Sequence, residues 1–248
     1  AMVAHGFVTS RVAATAQDLS SGKLSLSVIP GRIHAVRFVP VDGSSAVPTS
    51  VQHAFLLQAG DILNLREVEQ ALENFKRVPS AEADIQVEPA PVDAPPNQSD
   101  LVIRYRQGTP IRVSASLDDS GSAATGKYQA SSTLSLDNPL GLNDLLYATL
   151  NHDAGGGDTG PNGPVGGTQG GTVHYSLPLG YWTMGATASR SRYYQNVVGT
   201  SQNYTYRGTS ENIEVKLSRI VWRNASGKTT ASLKGFQRRS NNFIDDTE

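Results

Sequence analysis

The sequence predicts a mixed α+β unit over residues 33–107, followed over residues 108–248 by an antiparallel meander of about seven strands. Two observations support this prediction. Helical and strand patterns mix in the first part of the chain, whereas a two-residue hydrophobic alternation, rich in Gly, Ser, Thr and Asn, dominates after residue 108. Residues 1–32 contain two further strand patterns and no helix, so they look like the last two strands of a similar unit.

Two helices are predicted inside the α+β unit. Residues 49–58 place Val51 and Phe55 on one face, and Gly60 follows as a C-terminal stop. The second helix begins after Asn64, a residue type that caps helices well. Its apolar stripe recurs at spacings of three and four residues and consists of Leu65, Val68, Leu72 and Phe75.

Three strands complete the unit. Residues 33–39 form the first strand, and residues 83–88 and 100–106 form the other two. The proline-rich residues 89–97 lie between the last two strands and predict a hairpin loop. The order of elements over this part of the chain is therefore β-α-α-β-β.

From residue 109 onward, apolar and polar residues alternate. Residues 111–118 show period two without interruption, and similar runs follow at 128–136, 172–179 and 182–189. Each run is long enough for a strand, and no helical periodicity interrupts them. The region therefore predicts an antiparallel sheet.

Parts of the meander have less regular patterns. The run that begins at Ile213 loses its alternation at Arg219 and Trp222. Residues 145–153 and 229–239 have the composition of strands, but the pattern does not assign their side chains to one face or the other. These three segments bring the expected number of strands to seven.

The connections between these strands alternate between short and long. Three are tight turns rich in Asn, Pro and Gly, whereas those near residues 118–126, 153–168 and 199–208 are longer and polar. Outer-membrane β-barrels have this asymmetry, with short periplasmic turns and long outer loops. A soluble β-sandwich also alternates. The small polar side chains on one face of the meander favour the barrel, because soluble sheet surfaces carry more Lys and Glu.

The alternation also assigns side chains to the two faces of the predicted barrel. Polar groups in hydrocarbon lack hydrogen-bond partners, so the apolar face is expected to point to lipid. Arg112, Gln129 and Thr133 are expected to point to the lumen. The residues expected to face lipid are Ile111, Val113, Leu117, Leu134, Leu136, Val173, Tyr175 and Leu177.

Composition and motifs argue against several classes of function. The net charge of -1 gives no global field that would attract nucleic acid, and the absence of Cys excludes disulfides, thiolate metal sites and cysteine nucleophiles. No apolar run approaches the ~18–20 residues of a membrane-spanning helix. The 5 His residues are scattered without metal-ligand spacing. We find no catalytic constellation, and we expect no enzyme activity, metal, cofactor or small-molecule substrate.

Several long motifs resemble one known family. Residues 63–74, Leu-Asn-Leu-Arg-Glu-Val-Glu-Gln-Ala-Leu-Glu-Asn, continue into residues 77–85. Together they resemble the second polypeptide-transport-associated (POTRA) domain of two-partner secretion transporters, the haemolysin activation/secretion proteins of Gram-negative bacteria. Residues 136–144 and 238–246 are similar to segments of that family's first barrel strands. The resemblance covers essentially the whole chain.

The resemblance implies an outer-membrane protein with a periplasmic POTRA part. It assigns residues 1–32 to the end of the first POTRA domain, residues 33–107 to the second, and residues 108–248 to the N-terminal part of a transmembrane β-barrel. The family's barrel is expected to have sixteen strands. We therefore interpret the chain, with about seven, as a fragment carrying a partial barrel.

The function implied by the resemblance is transport. The POTRA domains would capture an unfolded exoprotein in the periplasm, and the barrel would pass it outward. The implied partners are this exoprotein and the lipid of the outer membrane, and nucleic acid is not among them. The alternative is an outer-membrane protein insertase of the wider POTRA-barrel superfamily. A passive porin needs no POTRA unit, and a soluble enzyme fits less well still.

Client capture is expected at an exposed strand edge. Such an edge offers unpaired N–H and C=O groups to an incoming extended chain. We expect residues 83–88 to form this edge, beside an apolar groove against the first helix. The alternative, a strand that only closes the small sheet, stays open. The candidate client-binding residues are Val51, Phe55, Ala83, Asp84, Ile85, Gln86, Val87 and Glu88.

Overall fold

The structure is a computed structural model that describes residues 2–20, 22–41, 55–160, 163–198 and 202–245, together with residues 200 and 247. In this part of the chain, a three-stranded sheet with one α-helix is followed by a seven-stranded antiparallel sheet. Two further pairs of short strands accompany them. The predicted combination of an α+β unit and a seven-stranded meander is confirmed.

The N-terminal segment forms a small strand pair. A 3-10 helix spans Val3–His5, and β1 (Arg11–Ala13) pairs antiparallel with β2 (Ser27–Ile29). The segment is tied to the α+β unit by a backbone hydrogen bond of 2.9 Å from Leu65 N to the carbonyl oxygen of Gly6. Both predicted strand patterns of residues 1–32 thus form strands, each of three residues, and most of the residues between them are exposed.

The α+β unit contains β3 (Arg32–Pro40), α1 (Leu65–Phe75), β4 (Ala81–Pro89) and β5 (Gln98–Gln107). The strand order is β3-β5-β4, with β5 in the centre. It runs parallel to β3 and antiparallel to β4. A parallel neighbour requires a crossover, and the chain between β3 and β4 that contains α1 supplies it. This order leaves β4 at one edge of the sheet.

Helix α1 forms where the apolar stripe predicts it. Asn64 caps its start, since the Asn64 side chain accepts a hydrogen bond of 2.9 Å from the backbone N–H of Arg66. Val68, Ala71 and Phe75 are buried on the face that packs against the sheet. Among the described residues, no helix has both the length and the apolar character to cross a membrane.

The described residues do not contain the first predicted helix. Residues 49–54, and with them Val51, lie outside the described residues. Residues 55–58 are described and are not helical. Phe55 instead lies in the core of the unit, stacked on Phe75 with ring centroids 6.3 Å apart and edge-on to Phe38 at 6.2 Å. The burial of this ring holds the segment in an irregular conformation.

The large sheet contains seven strands, and a separate short strand pair lies in the connection between its third and fourth strands. Its strand order is β6-β7-β8-β11-β12-β13-β14, antiparallel throughout. The short pair consists of β9 (Thr159–Gly160) and β10 (Gly163–Pro164). The seven strands are β6 (Ile111–Asp118), β7 (Gln129–Asp137), β8 (Leu145–Asp153), β11 (Gly166–Leu179), β12 (Trp182–Val198), β13 (Asn203–Arg223) and β14 (Lys228–Ile244).

One predicted long connection is shorter than expected. The polar stretch 199–208 reads as a loop in the sequence, but β12 continues to Val198 and β13 already begins at Asn203. Tyr204 and Tyr206 are aromatic residues that favour strands, and Tyr206 pairs with Gln195 across the hairpin. The last hairpins therefore extend much farther than the first.

Candidate functional site

The first candidate surface is the free edge of β4. This strand pairs with β5 on one side only, in an unbroken register from Ala81 opposite Gln107 to Pro89 opposite Ser99. The sheet thus exposes one row of backbone groups along β4, as the sequence leads us to expect for residues 83–88.

The register shows which backbone groups point outward. In an antiparallel pair, alternate residues exchange hydrogen bonds with the partner strand, and the residues between them direct their N–H and C=O away from it. Just beyond the two ends of β4, Ser80 accepts from Gly108 N at 2.8 Å and Ala90 N donates to Gln98 at 3.4 Å. The backbone N–H and C=O groups of even-numbered residues therefore point to β5. Those of the odd-numbered residues, from 81 to 89, point to the open edge.

Pro89 fits this assignment. Its nitrogen has no hydrogen to donate. Because it occupies an outward-facing position, no hydrogen bond to β5 is missing there. Ala81 N, also outward-facing, is satisfied locally by the carbonyl oxygen of Val78 at 3.0 Å. In the described part of the chain, the backbone groups of Ala83, Ile85 and Val87 have no such partner outside the ladder. These three residues form the open segment of the edge.

The predicted client-binding side chains differ in exposure. Ala83 is buried, and Ile85 is half-buried against the core. Val87 is 39% exposed, so the apolar face of β4 becomes open toward its C-terminal end. On the opposite face Asp84 is exposed, whereas Gln86 and Glu88 are half-buried.

The proposed groove against the first helix is not formed by Phe55. Its ring is only 8% exposed and packs toward Phe38 on β3, the strand at the opposite edge of the sheet. A buried aromatic ring on that side cannot offer a surface to a chain aligned with β4. This part of the prediction is wrong for Phe55, and Val51 lies outside the described residues.

The second candidate surface joins helix α1 to the short turns of the large sheet. Arg223, at the end of β13, donates to Glu73 at 2.6 Å, to Gln70 at 2.8 Å and to Glu69 at 3.4 Å. Lys228 adds an ion pair with Glu73 at 2.8 Å. The hydrogen bond from Arg223 is the main reason that the pKa of the Glu73 carboxyl lies below its ordinary value of 4.5.

The same helix also contacts the β11–β12 turn. Asn74 Nδ2 donates to the carbonyl oxygen of Gly180 at 2.9 Å, and Gln70 Nε2 approaches the same oxygen at 3.4 Å. Gly180 has a φ of 56°, and a Cβ there would lie 2.4 Å from Leu56 Cδ1. A side chain at position 180 would therefore displace Leu56, which lies before the helix, and the left-handed φ also favours glycine there.

The chain between α1 and β4 makes the third group of contacts. Arg77 donates to the carbonyl oxygens of Ser176 at 3.1 Å and Asn143 at 3.3 Å. Burial lowers the pKa of its guanidinium. Ser80 N donates to the buried Asp137 carboxylate at 2.9 Å. All three short turns of the large sheet are therefore bound to the α+β unit, and the sequence pattern signals none of these pairs.

The faces of the large sheet match the alternation. Cross-strand partners share a face, and the pairs Ile111 with Leu136, Val113 with Leu134, and Leu177 with Met184 are apolar on both sides. The register places on this same face all eight of the apolar residues that the alternation selects: Ile111, Val113, Leu117, Leu134, Leu136, Val173, Tyr175 and Leu177. We name it the apolar face.

The opposite face carries small polar side chains. Arg112, Gln129 and Thr133 all lie on it, and Thr133 hydrogen bonds to Thr149 at 2.8 Å. The register also assigns the two strands that the sequence leaves open, because even-numbered residues of β8 and odd-numbered residues of β14 share the apolar face. In the described part of the chain, no group of three or more His, Asp or Glu residues could hold a metal ion.

The large sheet and the strand before it match a known protein family. The model of the haemolysin secretion/activation protein family ShlB/FhaC/HecB matches residues 97–248. The chain belongs to this family. Two POTRA models match the rest: a POTRA domain model covers residues 32–89, which include β3, α1 and β4, and a ShlB-type POTRA model covers residues 1–31.

Several transporters are similar to this ShlB/FhaC/HecB family member. Outer membrane transporter CdiB-2 of Burkholderia pseudomallei (strain 1026b) is 36% identical over 247 residues, which cover 100% of this chain and 40% of that protein. Hemolysin transporter protein ShlB of Serratia marcescens is 29% identical over 77% of this chain. The chain thus spans well under half the length of these relatives, since it covers 31% of ShlB.

Two solved structures share the fold. CdiB from Escherichia coli superposes with a TM-score of 0.83 at 28% identity, over 99% of this chain and 44% of that chain. CdiB from Acinetobacter baumannii gives a TM-score of 0.81 at 27% identity, with the same coverage. The arrangement of POTRA unit and sheet therefore resembles that of these two CdiB structures.

Proposed function

We propose that this chain is part of an outer-membrane transporter that captures an unfolded exoprotein in the periplasm and passes it through a β-barrel pore. The observation that carries the proposal is the family match over the sheet, at residues 97–248. The relatives carry the names outer membrane transporter and hemolysin transporter. These names favour secretion over the insertion of barrel precursors.

The proposal places each part of the chain in a compartment. Residues 1–32 and 33–107 are POTRA parts in the periplasm, and residues 108–248 belong to the barrel in the outer membrane. The apolar face of the sheet then contacts lipid, while Arg112, Gln129 and Thr133 face the lumen. This orientation avoids polar groups in hydrocarbon, where each unsatisfied group costs several kcal/mol.

Capture is proposed to occur by strand addition at β4. An extended client offers backbone groups of any sequence, so pairing with the open edge gives affinity without demanding a particular side chain. Ala83, Ile85 and Val87 supply the outward N–H and C=O groups. Val87 adds an exposed apolar contact beside them, and Asp84 adds a negative charge on the other face.

The test replaces outward-facing and inward-facing positions of β4 in the full-length protein. Val87→Pro removes one outward N–H while leaving the ladder with β5 intact, as Pro89 does naturally two residues later. Secretion of the client into the medium should fall at least about fivefold, because a strand-addition contact is lost. Val87→Ala keeps the N–H and should secrete close to the parental rate.

Two controls complete the test. Gln86→Pro removes an N–H that pairs with β5, so it should destabilise the α+β unit and lower protein abundance. Protease resistance of the POTRA part then separates a folding defect from a capture defect. Parental secretion by a folded Val87→Pro variant would reject capture at this edge.

A further inference from the structure

We infer that the apolar face carries a binding site for the phosphate groups of lipid A in the outer leaflet of the outer membrane. The inference rests on the proposed function, because it needs the sheet to span that membrane. Its site is an arginine patch that we define as Arg190, Arg192, Arg207 and Arg239. All four share the face that carries the apolar rows, at the end of the sheet far from the POTRA unit.

The register defines this patch. Arg190 lies opposite Glu211, and Glu211 lies opposite Arg239, so the three form one row across β12, β13 and β14. Arg192 lies opposite Thr209 one step farther along the strands. Arg207 lies one step beyond, between its partners Tyr194 and Phe243.

The patch carries more basic than acidic side chains. Glu211 is bound to Arg190 at 3.2 Å, and the Asp153 carboxylate lines the adjoining cavity, where it accepts from Thr168 N at 3.0 Å. In the described part of the chain, Arg192 and Arg239 take part in no ion pair. Two guanidinium groups, those of Arg192 and Arg239, therefore remain available to an anion on a face whose inner rows are mostly apolar. Guanidinium groups bind phosphate through paired, charge-assisted hydrogen bonds.

The height of the patch matches the boundary of a bilayer. At the other end of the same face, Trp182 stacks with Arg219 at 5.0 Å, an aromatic and basic pair typical of a membrane interface. Arg192 follows Trp182 by ten residues of β12, which is about 34 Å along the strand at ~3.4 Å per residue. A strand tilt of about 40° reduces this to ~26 Å, close to the ~25 Å apolar band of outer-membrane barrels.

The rows between these two ends are apolar apart from Gln237 on β14, and the strands continue past the patch. Met184, Ala186 and Ala188 of β12 separate Trp182 from Arg190 on this face. A spanning strand needs only ~9–11 residues, whereas β12 has 17 and β13 has 21. The far ends therefore project beyond the hydrocarbon. Arg192 and Arg207 lie at the height of the headgroups, and the row of Arg190 and Arg239 lies one step nearer the bilayer centre, from which long arginine side chains can extend to the headgroups.

The surface beside the patch has room for a headgroup. A cavity of 610 Å³ is lined by Arg192, Arg207, Tyr194 and Phe243, and a second one of 560 Å³ lies next to Arg190 and Arg192. Gly171, opposite Arg190, has no side chain to fill the second cavity. Arg207 lies over the ring of Phe243 at 5.3 Å, which holds its guanidinium at the surface. A phosphorylated sugar headgroup fits these dimensions.

The test measures lipid A binding by the full-length protein in detergent. Bis-phosphorylated lipid A and the same lipid after removal of both phosphates are titrated separately, and binding is measured by native mass spectrometry. Each arginine near an anionic headgroup contributes about fivefold in affinity. We expect the phosphorylated lipid to bind at least about tenfold more tightly, and the variants Arg192→Gln and Arg239→Gln to lose about fivefold each.

Arg238→Gln is the matched control. Arg238 is adjacent to Arg239 on β14 but lies on the opposite, polar face, opposite Asn212. The Arg238→Gln variant should bind lipid A with the same affinity as the parent protein. An equal loss for Arg238→Gln and Arg239→Gln would overturn the site, as would equal binding of the lipid without phosphates. Competition by millimolar inorganic phosphate as effective as lipid A itself would also overturn it, because the site would then recognise free anion.

The membrane placement is tested independently. Membrane fractionation shows whether the full-length protein is in the outer membrane, and export of the client shows whether it transports. A protein that is in the outer membrane and exports its client, yet binds lipid A without regard to phosphate, overturns this inference alone. Absence from the outer membrane overturns the proposed function, and the lipid A site with it.

Discussion

The guanidinium of Arg223 lies 2.6 Å from the carboxylate of Glu73, so the end of β13 is bound to helix α1 across 150 positions of sequence. The Arg223 side chain is only 12% exposed and also contacts Gln70 and Glu69. One side chain thus contacts three residues on successive turns of the helix. This contact fixes the direction in which the POTRA unit leaves the sheet, and with it the position of the β4 edge.

Replacing Arg223 should loosen this junction. Arg223→Gln removes the charge shared by Glu69 and Glu73, which keep only their other ionic partners, Arg66 and Lys228. The change should cost about 1–3 kcal/mol of docking free energy. Hydrogen exchange in the full-length protein should then rise in α1 and in the Gly180 turn. Arg219→Gln is the control, because Arg219 lies on the same strand and stacks on Trp182 instead. Unchanged exchange in the Arg223 variant would show that the other contacts suffice.

The junction should also weaken in acid. The pKa of Glu73 in the folded protein is lowered below 4.5, chiefly by the hydrogen bond from Arg223. A lowered pKa stabilises the docked state fully above 4.5, and the stabilisation is lost as the pH falls through the folded-state pKa. The protection factors of the α1 amides, which are corrected for the pH dependence of intrinsic exchange, should therefore decrease as the pH falls below 4.5. In Glu73→Gln this part of the pH dependence should be absent, and its persistence would assign the effect to other carboxylates.

A buried carboxylate should be essential at the base of the first hairpin. Asp137 is 1% exposed and accepts from Arg112 at 2.8 Å and from Ser80 N at 2.9 Å. Asp137→Asn replaces one carboxylate oxygen with an NH₂ group, which cannot accept the hydrogen bonds of Arg112 and Ser80. The change should cost about 1–3 kcal/mol of unfolding free energy. Urea unfolding of the full-length protein measures the change. The exposed Asp118→Asn is the control, and an equal effect there would contradict the argument.

The periodic parts of the fold could be predicted from the sequence. Helix α1 follows from the stripe of Leu65, Val68, Leu72 and Phe75, and the faces of the sheet follow from alternation, because burial or membrane contact repeats with the geometry of each element. The break near Trp222 has a local cause, a β-bulge between Ile220 and Trp222 that shifts the register. Alternation detects such a break but does not say what produces it.

The contacts between the two units could not be predicted. Arg223, Asn74, Arg77 and Gly180 lie at ends and turns of elements, where no periodic pattern exists, and their partners are up to 154 positions away. Phe55 shows a related limit. An amphipathic pattern indicates that its ring belongs on an apolar face. Only the packing against Phe38 and Phe75 shows that this face is buried in the core of the unit.

The apolar face supports a prediction with a built-in control. Val113 is 75% exposed in the middle of β6 and lies on the apolar face, whereas Ser114, the next residue, lies on the polar face. Val113→Arg places a charge in hydrocarbon and should cost about 2–4 kcal/mol if the residue lies near the bilayer midplane. Ser114→Arg points the same charge into a wet lumen and should cost less than about 1 kcal/mol.

Both variants are made in the full-length protein and unfolded with guanidinium in lipid vesicles. The comparison isolates the side of the sheet, because the two positions share a strand, a depth and the introduced residue. Assembly is checked separately by the change in gel mobility on heating. Lipid contact predicts the larger loss for Val113→Arg. A larger loss for Ser114→Arg, or equal stability of both variants, would contradict the assignment of the apolar face to lipid. The arginine patch would then no longer lie in a membrane.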